Sequence, residues 1–524
     1  MKEHIKYKCT RGLIVFLNVL LYTSLHSQTT DKIPVSFNTY ATHQTIHNFS
    51  ASDAWACQFI GNWPDEKRNA IADWLFSLDA YPDGSPRGIG LSMWRYNIGA
   101  GSADQHDSSG IRDEWRRAAS YDAKDGEAKQ RVQAQNWFLE AARKRGVKQF
   151  LGFFNSPPVQ LTRNGKAFAV KGNCNIDSTK YNAFAKYAVD AMNHIKKTTG
   201  IAFNYISPVN EPQWDWSDGG QEGCPYRNNE ISGVVRSFNN EFVKRKISSK
   251  LLIAEAGHLR YFLPDSDKPG KDNQVFDFFQ PTSSNYIGNL PTVAKVLAGH
   301  SYFSTSPAGD AVKLRTQLKD RISQIKGLEY WQSEYCILGD NGGEINGSRR
   351  DTGMKAALYV ARVVYHDLAI ANASAWQWWL AVSPYNYKDG LVYVDKNKTD
   401  GKYYDSKMLW AVGNYSRFIR PGMRRIEVTN PSQDLYISAF KQPRTDTVVL
   451  VFVNPTLQNK PIALAGKESR GGRPVTTYTT DRSANLKRET IMEDQLIIPA
   501  ESIVTVILKN EIMGVDTKSP PVGQ

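Results

Sequence analysis

Between Phe49 and Trp379, short apolar runs alternate with longer stretches whose apolar residues recur every three or four positions. The short runs predict strands over Phe49–Trp55, Gly88–Ile98, Gln149–Asn155, Phe203–Val209, Leu251–Ala256, Val296–Phe303, Glu329–Cys336 and Ala373–Trp379. The longer stretches predict helices over Asp65–Ser77, Glu127–Arg145, Asp177–Thr199, Asn229–Ile247, Ala311–Ile325 and Thr352–Ala371. Gly146 and Gly200 stand where two of them should stop. Strands alternating with helices argue for a parallel sheet, and eight such units close a (β/α)8 TIM barrel.

After Trp410 the period changes. Ile426–Val428, Asp434–Phe440, Thr447–Val453, Val475–Tyr478, Asp494–Ile498 and Ser502–Leu508 read as short strands between Pro, Asn, Gly and Ser turns. That pattern predicts an all-β domain, a sandwich fused C-terminal to the barrel. The strand-like segment Val35–Ile46 precedes the barrel and is expected to join that sheet. The resulting division is 28–47 as the joining strand segment, 48–414 as barrel, 415–510 as sandwich and 511–524 as a disordered tail.

The first 27 residues read differently. Lys2, Lys6, Lys8 and Arg11 precede the apolar run Leu13–Leu25, and Ser27 follows. This is the pattern of a secretory signal peptide, too short to span a membrane comfortably. A secreted or periplasmic product is expected, with no membrane contact after cleavage. The 524-residue chain carries +13, and loss of residues 1–27 leaves about +10. Its basic residues, such as Lys244-Arg245-Lys246 and Arg424-Arg425, are scattered and match no nucleic-acid-binding motif. No nucleic-acid partner is expected, and the chain reads as a monomer. A content of 41% hydrophobic and 22% charged residues excludes a disordered, collagenous or multi-span membrane protein.

Four cysteines follow the leader. Cys174 and Cys224 lie in polar, Gly-containing segments and are the candidate disulfide. Cys57 and Cys336 adjoin apolar segments and read as small buried hydrophobes. No cysteine has metal-ligand spacing, so neither metal nor cofactor is expected.

Barrel enzymes carry their chemistry at the C-terminal ends of the strands. Strand four ends in Asn210-Glu211-Pro212, and strand seven in Ser333-Glu334-Tyr335. Two carboxylates facing one cavity are what glycoside hydrolysis needs: one protonates the leaving oxygen, the other attacks the anomeric carbon or activates water. Glu255 and Glu329 compete with Glu334, although Glu329 opens its strand at the structural end.

Asn-Glu-Pro after strand four with a second Glu after strand seven resembles the retaining glycoside hydrolases of clan A. The match narrows to glycoside hydrolase family 30. Ala375–Trp379 resembles that family's strand-eight aromatic run, Trp410–Gly422 its passage into the side domain, and Pro499–Ser502 its closing strand. The resemblance implies retention of configuration, Glu211 as acid/base and Glu334 as nucleophile, with carboxyls about 5–5.5 Å apart. It implies that Asn210 holds the sugar 2-hydroxyl.

Arg95, Glu255, His300, Tyr302 and Trp378 are placed around the pair. Trp376 and Trp378 share one strand face by alternation, and Trp379 takes the other. Trp214 and Trp216 form a candidate sugar platform just after the acid/base. Asn155 replaces the Trp usual in the family's xylanases. The loop after strand eight lacks the Arg by which its glucuronoxylanases hold glucuronate, unless Lys388 substitutes.

Ala51–Trp63 and Trp94–Ser102 resemble the family's endo-β-1,6-galactanase-like members, with Asp53, Trp55 and Asn97 lining the pocket. Asn48 and Ser50 stand where that family has glycines, a change that would narrow the pocket or weaken activity. The reading is a secreted glycosidase of a plant polysaccharide, foremost β-1,6-galactan of arabinogalactan. Xylanase, β-1,6-glucanase or exo-acting variants remain open, as does a non-catalytic carbohydrate-binding barrel.

Overall fold

The computed structural model describes residues 32–445, 447–465 and 472–509; the expected leader and tail, 1–27 and 511–524, lie outside them. Eight parallel strands form the barrel: Asn48–Ser52, Met93–Asn97, Gln149–Phe153, Tyr205–Ser207, Lys250–Ala256, Val293–His300, Glu329–Glu334 and Ala375–Ser383. The last pairs with both the seventh and the first, and so closes the ring. Each expected strand forms, several of them shorter than the apolar run that announced it.

Helices cover the outside because their apolar stripes must be buried against the strands. Tyr181–Thr199 buries Phe184, Ala188, Met192 and Ile195 along one face. It ends where Gly200 adopts a left-handed φ of 72°. Asp125 accepts a hydrogen bond from the backbone of Ala128 and fixes the start of Gly126–Lys144. The helix expected over Thr352–Ala371 is α-helical only over Met354–Tyr365; His366–Ile370 forms a π turn. That turn carries Asp367 inward, where Arg315, Ser301 and the Trp376 indole all donate to it.

The C-terminal region is one continuous nine-stranded sheet over its own core of Val35, Phe37, Ile426, Leu450, Phe452 and Val506. The N-terminal strand Ile33–Thr45 lies within it, antiparallel to Arg424–Thr429 and parallel to Lys460–Ala465. Two of its strands gave little sequence signal. Lys460–Ala465 contains Pro461, and Lys487–Met492 is an almost wholly exposed edge. Helix Lys407–Ser416 seams the two regions: the Asn414 side-chain amide donates to Tyr478 O and Thr505 Oγ1, and Ser416 Oγ to Ile89 O.

Candidate active site

Glu211 and Glu334 follow the fourth strand and end the seventh, and one oxygen of each lies within 4.8 Å of the other. Both are nearly buried and line a cavity of about 1020 Å³ at the C-terminal end of the barrel. Local backbone sets the pair. Glu211 has φ +43° and Glu255 φ +52°, a region costly for a residue with a side chain. The Glu211 amide donates to Glu255 O at 2.8 Å and holds this turn against the fifth strand.

A charged network lies behind the pair. Arg95 donates to Glu334 at 2.5 Å and to Asn210 Oδ1 at 3.0 Å, and its guanidinium lies 3.7 Å over the Phe153 ring. Tyr302 donates its hydroxyl to Glu334 at 3.1 Å. His300 places Nδ1 2.9 Å from Glu211 and Nε2 3.2 Å from Glu255, with Glu334 at 3.5 Å. Ser207 and Ser333 both donate to Glu255. The Asn210 amide donates to Asn155 at 3.1 Å, and Asn97 and Asp53 continue the chain outward.

The electrostatics follow from these contacts. Burial opposes the charged form of His300, but Glu334, Glu211 and Glu255 outweigh it and push its pKa up to about 10. Burial likewise opposes ionised Glu255, yet His300 and Arg95 bring it down to about 2. Glu334 is shifted upward: burial and the neighbouring Glu211 prevail over His300 and Arg95. Burial raises Asp53 to about 7. Three carboxylates, Glu211, Glu255 and Glu334, thus share Arg95 and His300 as their basic partners.

These shifts set the pH response of stability. Below the ordinary pKa of 6.5, the raised pKa of His300 contributes its full stabilisation; this is lost as pH climbs toward about 10. The depressed Glu255 contributes above its ordinary 4.5, and that is lost as pH falls toward about 2. Melting temperature should therefore decline on the alkaline side of neutrality. His300→Gln should flatten that decline in a pH series of thermal melts; an unchanged slope would remove His300 as its cause.

Glu211, His300 and Glu334 also offer oxygen and nitrogen donors close enough for a metal. Both imidazole nitrogens already face carboxylates, Nδ1 towards Glu211 and Nε2 towards Glu255, so an ion bound to either would displace one of these contacts.

The thirteen expected pocket residues divide into three groups. Trp55, Asn210, Glu211, Trp214, Tyr302 and Glu334 line the cavity. Arg95, Glu255, His300 and Asn155 stand behind it, buried, and contact the first group directly, while Asn97 and Asp53 lie one step further back, Asn97 against Asn155 and Asp53 against Asn97. Trp378 is a correction: it is fully buried and donates to Asp389 O at 2.7 Å, while Trp379 lines the cavity. Alternation holds here: Trp376 and Trp378 share one face, their rings 6.2 Å apart, and that face is turned away from the cavity, whereas Gln377 and Trp379 point inward.

Other expectations change too. Cys174 and Cys224 are free thiols rather than a disulfide. A hydrogen bond to Cys224, then burial, pushes the Cys174 thiol upward. Asn48 and Ser50 are buried inside the barrel, where Asn48 accepts from Gln377 at 3.1 Å, and neither lines the cavity. Lys388 donates to the Ser348 and Arg349 carbonyls, so it is not poised to hold a glucuronate. Sequence reasoning missed Arg116, Tyr387 and Asp389 on the wall. They sit in long loops, where neither strand period nor motif marks them.

The comparisons with known proteins agree with this geometry. The family model described as O-Glycosyl hydrolase family 30 matches residues 32–393. The chain is 24% identical over 397 residues to an endo-beta-1,6-galactanase of Hypocrea rufa, covering 72% of this chain and 73% of that protein. It is also 24% identical to the glucuronoxylanase XynC of Bacillus subtilis, covering 71% and 78%. A conserved exported protein of Bacteroides fragilis superposes with a TM-score of 0.82 at 32% identity, over 90% of this chain and 99% of that one. With the family matched across the whole barrel and its two strand-tip glutamates facing one cavity, this chain is a glycoside hydrolase and belongs to family 30.

Proposed function

We propose that the chain is an exported, retaining hydrolase of β-1,6-linked galactan. The observation that carries retention is the spacing of the pair. With one oxygen of each within 4.8 Å of the other, the pair favours the about 5–5.5 Å separation of a retaining enzyme over the about 6.5–9.5 Å of an inverting one. Glu334, gripped by Arg95 and Tyr302, attacks the anomeric carbon. Glu211 gives its proton to the departing oxygen, and the bond from carbon to that oxygen breaks. Water then attacks the glycosyl-enzyme, Glu211 takes its proton back, and Glu334 leaves as carboxylate. Asn210, fixed between Arg95 and Asn155, stands where it can bond the 2-hydroxyl.

The galactan assignment is supported by the Hypocrea rufa relative and by the stretches Ala51–Trp63 and Trp94–Ser102. The occupied ammonium of Lys388 and the Asn at 155 weigh against a glucuronoxylanase. Export is supported by the leader-like first 27 residues and by the Bacteroides fragilis protein described as exported. No helix among the described residues is long and apolar enough to cross a membrane.

A panel of β-1,6-galactan, de-arabinosylated arabinogalactan, xylan, glucuronoxylan and β-1,6-glucan tests the substrate, with Glu211→Gln as control. Galacto-oligosaccharides from the first two alone are expected. Release from xylan or glucan would move the substrate, and binding without cleavage throughout would favour a non-catalytic barrel. Product sizes separate internal cleavage, as in the relative's name, from release at a chain end.

A further inference from the structure

The two ends of the cavity are built differently. One is flanked by the loop after Glu211, which carries Trp214 and Trp216, and by the exposed Phe303 and Leu338. Glu211 protonates the leaving group, so this is the leaving-group end. The other end, toward Trp55, Arg116 and Trp379, receives the glycone.

At that end Trp55 and Arg116 line the cavity, and a stack outside it backs them. The Arg116 guanidinium lies 5.2 Å over the Trp55 ring and 5.0 Å over the Tyr385 ring. The Lys396 ammonium lies 5.0 Å over Tyr385 and bonds Asp113 at 2.9 Å. Tyr385 and Lys396 flank the short buried strand Gly390–Val394, which pairs with the last barrel strand, whereas Trp55 and Arg116 follow the first and second. The same segment is tied down further along. Lys398 bonds Glu114 at 2.8 Å and Glu127 at 3.3 Å, Lys67 bonds Asp400 at 2.5 Å, and the Trp63 indole donates to Asn397 O at 3.0 Å. Each exposed ion pair is weak alone, but together with cation–π contacts they hold one strap across two loops.

We propose that this strap, residues 385–401, closes the glycone end of the cleft, so that the enzyme releases one short saccharide from a chain end. The proposal rests on the roles given to Glu211 and Glu334, which assign the ends, and not on which sugar is cleaved.

The test uses whichever polysaccharide of the panel is cleaved, so sugar identity and product length are decided separately. Wild type should release a single short product from the first turnovers, with slow loss of viscosity. Lys396→Ala combined with Lys398→Ala should raise the share of longer products severalfold while leaving turnover of a small aryl glycoside unchanged. Native protein at about 1 M salt, where charges are screened beyond about 3 Å, should shift the same way. If the double variant loses aryl glycoside turnover, the salt series on native protein decides. A mixed ladder with rapid viscosity loss from wild type would overturn the proposal. So would an unchanged product profile in a variant that still turns over the aryl glycoside, or in the salt series.

Discussion

Glu334→Gln is expected to lower kcat on the polysaccharide by on the order of 10⁴-fold or more, because the covalent step loses its nucleophile. The fold should survive. The amide keeps the volume of the carboxylate, and Arg95 retains Glu255 at 3.9 Å and the Asn210 carbonyl at 3.0 Å as partners. Saccharide binding should therefore persist. The decisive readouts are kcat, a thermal melt and saccharide affinity on one preparation. Near wild-type turnover would mean that the nucleophile is another carboxylate, and Glu255 is the first to test. Its position argues against that role, since two serines, His300 and Arg95 already occupy its oxygens.

Glu211→Gln should behave differently, and the difference identifies the acid/base. On polysaccharide the loss should be about 10²–10⁴-fold, the usual range for a positioned proton donor. A dinitrophenyl glycoside needs no proton on its leaving oxygen, so its first step should be spared. The glycosyl-enzyme then accumulates because water lacks its base, giving a burst followed by slow turnover. Added azide, which needs no deprotonation, should attack that intermediate, restore the rate and yield a glycosyl azide of retained configuration. Equal losses on both substrates, without rescue, would place the proton donor elsewhere.

Much of this arrangement was legible in the chain, for local reasons. Eight apolar runs, six of them followed by an amphipathic stretch, are enough for period alone to predict eight units and closure; the helix after the fifth strand, Gln274–Phe279, is too short to show a period. Once strand ends are known, Asn210-Glu211-Pro212 and Ser333-Glu334 fall at strand tips without further information. What could not be read needed more than local period. Alternation separates Trp379 from Trp376 and Trp378 but does not say which face meets the cavity. The π turn at His366–Ile370 directs Asp367 to Arg315, although a continuous helix would fit the same periodicity. Arg116 ends the short 3-10 helix Glu114–Arg116 in a loop and lines the cavity with its guanidinium over Tyr385, a neighbour far along the chain that no local pattern announces. The network behind the pair was legible as residues but not as layers. Composition cannot say that His300 and Glu255 stand behind the wall while Tyr302 forms part of it.

The most direct test of the central claim is covalent capture. A 2-fluoro-substituted activated β-galactoside forms the glycosyl-enzyme but slows its hydrolysis. Incubation followed by peptide mass spectrometry should place the sugar on Glu334, with no label in Glu334→Gln. A label on Glu255 or Glu329, or inverted configuration in the first product from the natural substrate, would contradict the account.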